Sequence, residues 1–543
     1  MSKKVIHVVD FHPHADGVHN DFDALYAAFS SADADENIIV IEPGDYLVDS
    51  ALSIPLKSGT TVYAKDARFL FPRSLGGTPH RIMFYGENVS DFTWEGGSFL
   101  GYVYNPLDAV GKWEPNASSK GIFLQRTEGG KSENIRFERV ESDNVAGAVV
   151  SVYGKANEVG ENRLPVYNVD VHACHFRNSG KFMWDYGYLW QRIVFPEHHS
   201  EEEIKNAYRY MPEELLSGYV LFSGKSEICV ENMPEGIEGE EDTVSFYCDV
   251  PKPLARGTCY YIRSLRREGA LTYITVSDKR GGEAIDAFAV TAGKCRLFRN
   301  LFTVHHNLYA PKGAGTGKGP LDISVANNVK ISDCRMYASG DSMHVHMSHN
   351  VIYSGNQITG SRMGAFFIAQ FCKNVTVTGN TVLGTNGSRV MSVEKSTEDI
   401  TIIGNTFSGG GRGTWINQPY NIIIAENILT RNTNKCTPSP AIGRLTPSSG
   451  KYESYPEIYF TTWQKDAPYG AVIMRSNLIT ASADAKAAVA FHDGGRNIAF
   501  EGNILMGETR SVYVGRKCEI PLMSGNIGMG ELLRELAEEK FDQ

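Results

Sequence analysis

One phrase, repeated at a steady step, limits what this chain can fold into. It reads Asn350-Val-Ile-Tyr-Ser-Gly-Asn356, Asn374-Val-Thr-Val-Thr-Gly-Asn380, Asp399-Ile-Thr-Ile-Ile-Gly-Asn405 and Asn421-Ile-Ile-Ile-Ala-Glu-Asn427, with a weaker copy at Asn328-Val-Lys-Ile-Ser-Asp-Cys334. The leading positions advance by 22, 24, 25 and 22 residues. A period of that size, with one short β-branched run per repeat, marks a solenoid. Apolar residues alternate within each run, which is the period of a strand. Each run closes on Gly-Asn or a near variant, residues that accept the left-handed backbone of a tight corner. Asn side chains stacked at one corner can also hydrogen-bond from repeat to repeat. The pattern predicts an all-β chain folded as a right-handed parallel β-helix.

The rest of the chain fits around that core. Asp21 is placed to N-cap a short amphipathic helix over Phe22-Asp-Ala-Leu-Tyr-Ala-Ala-Phe29, followed by the strand Ile38-Ile-Val-Ile and a turn at Pro43-Gly44. His12, His14 and His19 with Asp16 and Asp21 read as loop and cap residues. Rungs continue through Asn134-Ile-Arg-Phe and Asn168-Val-Asp-Val, then stop near Lys181. Ser200-Glu-Glu-Glu203 starts a short helix. Strand alternation with Gly and Pro turns but no solenoid period then predicts a small inserted β-domain. The expected divisions are 1–180 (cap and first rungs), 181–283 (insert), 284–529 (main rungs) and 530–543, an amphipathic C-terminal helix. Two long loops are expected, at Pro311–Gly319 and at Asn432–Pro468. The first lacks the Ser/Thr and the helix that a phosphate loop needs.

Composition excludes several classes. A net charge of −10 without a basic run argues against a nucleic-acid partner. No stretch of about 18 apolar residues offers a membrane span. The nine cysteines are an odd number without Cys-x-x-Cys, so reduced thiols are expected rather than a disulfide or metal framework. The N-terminus lacks the apolar core of a secretion leader, and the expected location is cytoplasmic. No cofactor and no metal are expected.

Counting back from each phrase locates candidate chemistry. Asp322 and His344 both lie six residues before the leading Asn, so the two should stack on adjacent rungs. Met343, Val345 and Met347 fit the core and leave His344 and His346 facing out. The same outward strip holds Glu394, Trp415, Asn417 and Gln370, with Arg412 beside it. Asp341 opens the His strand, and Asp286 is expected on the rung before Asp322. Acids, imidazoles and an aromatic on one face suit glycosyl transfer to water, in which one carboxylic acid protonates the leaving oxygen and a second carboxylate acts as base or nucleophile. Asp322, Asp341 and Glu394 are the catalytic candidates. His344, His346, Trp415, Arg412, Asp286, Gln370 and Asn417 are the substrate-binding candidates. Aromatic clusters at Trp184–Trp190 and Tyr452–Trp463 suit either sugar stacking or packing of the insert.

Several lines resemble known families. Asp16-Gly-x-x-x-Asp21, the Ala-rich helix and Ile41-Glu-Pro-Gly-Asp-Tyr46 are similar to the entry of the pectate-lyase-like superfamily, whose helix caps the first turn. The phrase from Leu254 to Ile262 with Gly281-Gly-Glu-Ala-Ile285 resembles a module between rungs of phage-tail and carbohydrate-active β-helices. Leu321-Asp-Ile-Ser324 with Gly340-Asp341 resembles polygalacturonase-like glycosidases, without their Asn-Thr-Asp and Gly-His-Gly. Asp341-Ser-Met-His-Val-His346 resembles the β-helical α-1,3-galactosidases, with one Asp of a pair missing. These resemblances imply a glycoside hydrolase with a carbohydrate partner. Two alternatives stay open: a polysaccharide lyase acting on a uronic-acid polymer, and a tailspike-like glycan-binding protein, usually a homo-oligomer.

Overall fold

The computed structural model describes residues 2–72, 80–101, 118–145, 147–157, 160–180, 221–228, 243–246, 254, 259–268, 271–277, 283–291, 297–303, 319–337, 339, 342–361, 364–432, 456–462, 467–483 and 485–534. The repeated phrase folds as expected, one strand per repeat on one face of a parallel β-helix. Val329, Val351, Val375, Ile400 and Ile422 face one another in register on consecutive rungs and are all buried. That face is a 14-stranded parallel sheet running from Lys3–His7 to Leu522–Ser524. The other two faces share a 24-stranded sheet, joined where the long strands Thr381–Val393 and Thr406–Asn417 run through a corner. One continuous apolar core fills the interior, from Ile6 to Cys518.

Two amide ladders hold the corners. At the start of each phrase, Asn328, Asn350, Asn374, Asp399 and Asn421 take left-handed backbone (φ 53 to 59°). Their exposed side chains link Asn328 to Asn168, Asn350 to Asn328, Asn374 to Asn350 and Asn421 to Asp399, each at 2.9 Å. At the end of each phrase a second ladder is buried, through Asn356, Asn380, Asn405, Asn427, Asn477 and Asn503. Asn405 Nδ2 donates to Val377 O, Ile403 O and Asn427 Oδ1 at 2.9 to 3.1 Å, and Asn405 Oδ1 accepts from the Asn380 backbone N–H and side-chain amide. Each buried amide satisfies main-chain groups that a corner would otherwise orphan.

The N-terminal helix is Phe22–Ser30, and Phe22, Leu25, Ala28 and Phe29 form its buried face. Phe29 packs beside Phe84 and Trp94 and closes the end of the core. Asp21 sits at the N-cap position without making the side-chain cap bond; its carboxylate accepts from the backbone N–H groups of His14 and Ala15 instead.

Three boundaries differ from expectation. The inserted sheet is six-stranded and antiparallel, and it takes in Ile285–Thr291 and Leu297–Thr303, so solenoid rungs resume at Leu321 rather than near residue 284. Strand alternation is identical in both settings, which is why the pattern could not separate them. Ile458–Thr461, expected within a long loop, is a rung strand paired with Thr414–Asn417. Leu532–Leu533, expected at the start of a C-terminal helix, completes a last rung against Val512–Tyr513. The remainder of that helix, the helix at 200–210, the Pro311–Lys318 loop, Trp184–Trp190, Tyr452, Tyr455 and Trp463 lie outside the described residues.

Asn405→Ala removes several buried hydrogen bonds at once and is expected to cost about 3 kcal/mol, since each unsatisfied buried group costs roughly 1–3 kcal/mol. Asn350→Ala on the exposed ladder should cost less than about 1 kcal/mol. Urea-unfolding midpoints followed by circular dichroism test the difference, and equal midpoints would contradict the role given to the buried ladder.

Candidate active site

Register alone lines up one outward column on the face that carries the His strand. Phe123, Ser151, Asp322, His344, Phe367, Ser392, Trp415 and Tyr459 are successive partners, rung by rung. Their neighbours Leu321, Ile323, Met343 and Val345 point into the core. A second column, two residues along, holds Gln125, Tyr153, Ser324, His346 and Ala369.

Asp322 is the centre of the polar cluster. One carboxylate oxygen lies 2.7 Å from His344 Nδ1, and the other accepts the Tyr153 hydroxyl. Asp322 is 2% exposed and His344 8%, so the outward strip expected to line a solvated cleft is largely shielded from water here. Burial works to raise the Asp322 pKa, but the charge of His344 and the hydrogen bonds from His344 and Tyr153, helped by Lys120, hold it below the ordinary carboxylate value. Burial and the adjoining carboxylate push the Tyr153 phenol well above its ordinary value. With Asp322 fixing Nδ1, the outer ring nitrogen of His344 is the one free for proton transfer. The His346 ring stacks 6.1 Å from that of His344, with Nδ1 3.0 Å from Ser324 Oγ.

Lys120 was not singled out in the sequence. It is 1% exposed, its Nζ has no hydrogen-bond partner, and it lies 4.1 Å from the Phe123 ring centroid and 4.7 Å from that of Tyr153. Burial lowers its pKa to about 8, against the opposing pull of Asp322. Tyr153 was also missed, because the chain between Tyr153 and Asn168 breaks the count to the next corner. Arg389 is the third: its guanidinium sits 4.0 Å over the Trp415 ring, and its Nε donates to Tyr459 OH at 3.2 Å. Trp415 Nε1 in turn donates to Thr461 Oγ1 at 2.7 Å.

The remaining expected residues are scattered. Glu394 is half-buried and directly follows Val393, which pairs with Ile368 and Ile416, so it is two rungs beyond His346 and separate from Asp322. Asn417 follows Trp415 on the same face, with its Oδ1 unpartnered. Gln370 leaves the face: its backbone turns left-handed (φ 34°) and its carbonyl accepts from Met347 N at 3.1 Å in the corner. Arg412 pairs by backbone register with Arg389. Asp286 is on the six-stranded sheet, and the rung before Asp322 is supplied by Ser151 instead. Asp341 lies outside the described residues. Among the described residues, no group of three or more His, Cys, Asp or Glu side chains is arranged to hold a metal ion.

A family model described as periplasmic copper-binding protein (NosD) matches residues 303–444, about a quarter of the chain. No curated protein matches. Solved structures are similar to this chain at low identity. A mannuronan C-5 epimerase A-module of Azotobacter vinelandii is 11% identical over 96% of this chain and 98% of that one, with a TM-score of 0.45. The catalytic unit of an α-1,3-glucanase from Streptomyces thermodiastaticus is 9% identical over 98% and 70%, with a TM-score of 0.47. A surface adhesin of Streptococcus pneumoniae is 12% identical over 96% and 91%, with a TM-score of 0.45. The chain is a right-handed parallel β-helix.

The folded-state pKa of Lys120 lies below its unfolded value of about 10.4, so between the two the unfolded chain binds the extra proton and stability contributed by this site rises with pH. Wild type is therefore expected to gain on Lys120→Met as pH goes from about 8 to about 10. Urea unfolding of both proteins at the two pH values measures it, and a constant difference would contradict a depressed Lys120.

Proposed function

We propose that this β-helix is a carbohydrate-acting enzyme that cleaves a uronic-acid-containing glycan by β-elimination, with the Asp322–His344 pair as its base. The observation that carries the reading is the buried Tyr153–Asp322–His344 chain beside Lys120. Elimination needs a base for the proton next to a sugar carboxylate and a positive group to offset the charge that develops there. His344 takes that proton at its outer nitrogen. The electron pair forms the ring double bond, the glycosidic carbon–oxygen bond breaks, and the departing oxygen takes up the proton His344 carries. Asp322 orients the imidazole and stabilises its charged form, Tyr153 holds Asp322, and Lys120, buried out of a ligand's reach, adds positive charge behind Asp322 without touching the sugar.

Hydrolysis, the leading expectation from the sequence, fits this cluster less well. It calls for a protonated carboxylic acid facing a second carboxylate. Asp322 is held in its ionised form with both oxygens engaged, and Glu394 is on a different column two rungs past His346. Hydrolysis keeps one observation in its favour, the half-buried Glu394 on the same face.

Screening uronic-acid polymers for an unsaturated, ultraviolet-absorbing product tests the proposal. Asp322→Asn and His344→Ala are each expected to lower turnover by about 10²–10⁴-fold with folding intact. Saturated reducing ends as the product would replace elimination with hydrolysis. Glycan binding with no cleavage would favour a tailspike-like role.

A further inference from the structure

We infer that Arg389 and Trp415 form a second, distal subsite for an acidic sugar residue of the same chain-like substrate; this rests on the uronate reading above. The two side chains are held before any ligand arrives. Tyr459 OH accepts from Arg389 Nε, Thr461 Oγ1 accepts from the Trp415 indole, and the guanidinium carbon lies 4.0 Å from the centre of the indole ring. Among the described residues no carboxylate pairs with Arg389, and a guanidinium fork is the group that takes a carboxylate bidentately. A guanidinium held over an aromatic ring can still bind a carboxylate through its N–H edge.

The register sets the distance from the chemistry. His344, Phe367, Ser392 and Trp415 are successive partners in one column, so Trp415 is three rungs from His344, about 14 Å at the usual strand spacing. The two side chains between them carry no charge. Ser392 Oγ and, on the Trp415 strand, Asn417 Oδ1 are buried without hydrogen-bond partners, groups that a sugar hydroxyl would satisfy. A glycan lying along the stack would place one acidic residue at His344 and another, several sugars away, at Arg389. A disaccharide cannot reach both.

The test is calorimetric binding of oligogalacturonates from dimer to hexamer, with methyl-esterified counterparts, in a His344→Ala background that leaves the ligand uncleaved. The hexamer is expected to bind at least ten-fold tighter than the dimer. Adding Arg389→Ala should abolish that gain and leave the dimer within about two-fold; Arg389→Lys, which keeps the charge but loses the fork, should retain part of it. Methyl-esterified hexamer should not show the gain. Equal hexamer affinity with and without Arg389, equal weakening of dimer and hexamer, or no binding at any length would each overturn the subsite. Arg389-dependent hexamer binding by a protein that never cleaves the polymer would retire elimination and keep the subsite. Cleavage with affinity independent of length would do the reverse.

Discussion

The buried asparagine ladder is the interaction on which the rest depends. A parallel β-helix has no tight hairpin to set its register, so each corner must decide where the next strand begins. Asn356, Asn380, Asn405, Asn427, Asn477 and Asn503 do this by binding both the rung above and the main chain of the corner itself. A one-residue slip would break every member of that network and would also turn each core valine or isoleucine outward. Packing and hydrogen bonding therefore select the same register. With the register fixed, side chains distant in sequence become vertical neighbours without any further design.

That consequence explains how the polar cluster is tolerated. Asp322, Lys120 and His344 are almost entirely removed from water, which is costly for any one of them alone. Together they form a chain in which the carboxylate receives two hydrogen bonds and sits within range of a cation. Lys120 is the least compensated member: its amine faces aromatic rings rather than an acceptor, and its depressed pKa reflects the residual cost. With its amine sealed from solvent, that cation acts on the cluster only through its charge. Arg389 also stands over an aromatic ring, that of Trp415 in the column, but it has an acceptor in Tyr459 OH.

How much of this was legible depended on whether the count to a corner stayed intact. Asp322 and His344 were readable as stacked neighbours because both keep the same spacing to the leading Asn, 328 and 350. Tyr153 sits opposite Ser324, but the chain between it and Asn168 makes an extra excursion, so the count fails even though the contact is made. Lys120 is two rungs back, in a strand that precedes the strongest repeats. Arg389 lies within the long strand Thr381–Val393, just past the register shift where it runs through a corner, and no alternation rule predicts where such a residue points. Gln370 and Asp286 failed for simpler reasons: the first turns left-handed at the strand end, and the second obeys the strand period within a different sheet. The fold was written in a periodic signal. The site was assembled from departures from it.

The largest departure is the insert, and its placement shapes the proposed chemistry. The chain leaves the stack after Gly180 and returns at Pro320–Leu321, and all three faces continue across the gap in register: Val150–Tyr153 with Leu321–Ser324, Val166–His172 with Ala326–Ser332, and His175–Arg177 with Arg335–Tyr337. Val149 and Val150 both donate to Pro320 O, and the corner ladder passes directly from Asn168 to Asn328. Closing a loop of that length costs entropy only slowly with added residues, so the stack can hold the two ends together while the intervening segment folds separately. The Tyr153–Asp322 bond is made across this junction, between residues 169 positions apart. The rung bearing the tyrosine and the rung bearing the aspartate meet because the insert leaves and rejoins at one level of the solenoid. A shift of one rung on re-entry would preserve the fold and dismantle the cluster, which makes the junction at Gly180 and Pro320 as much a part of the site as the side chains that line it.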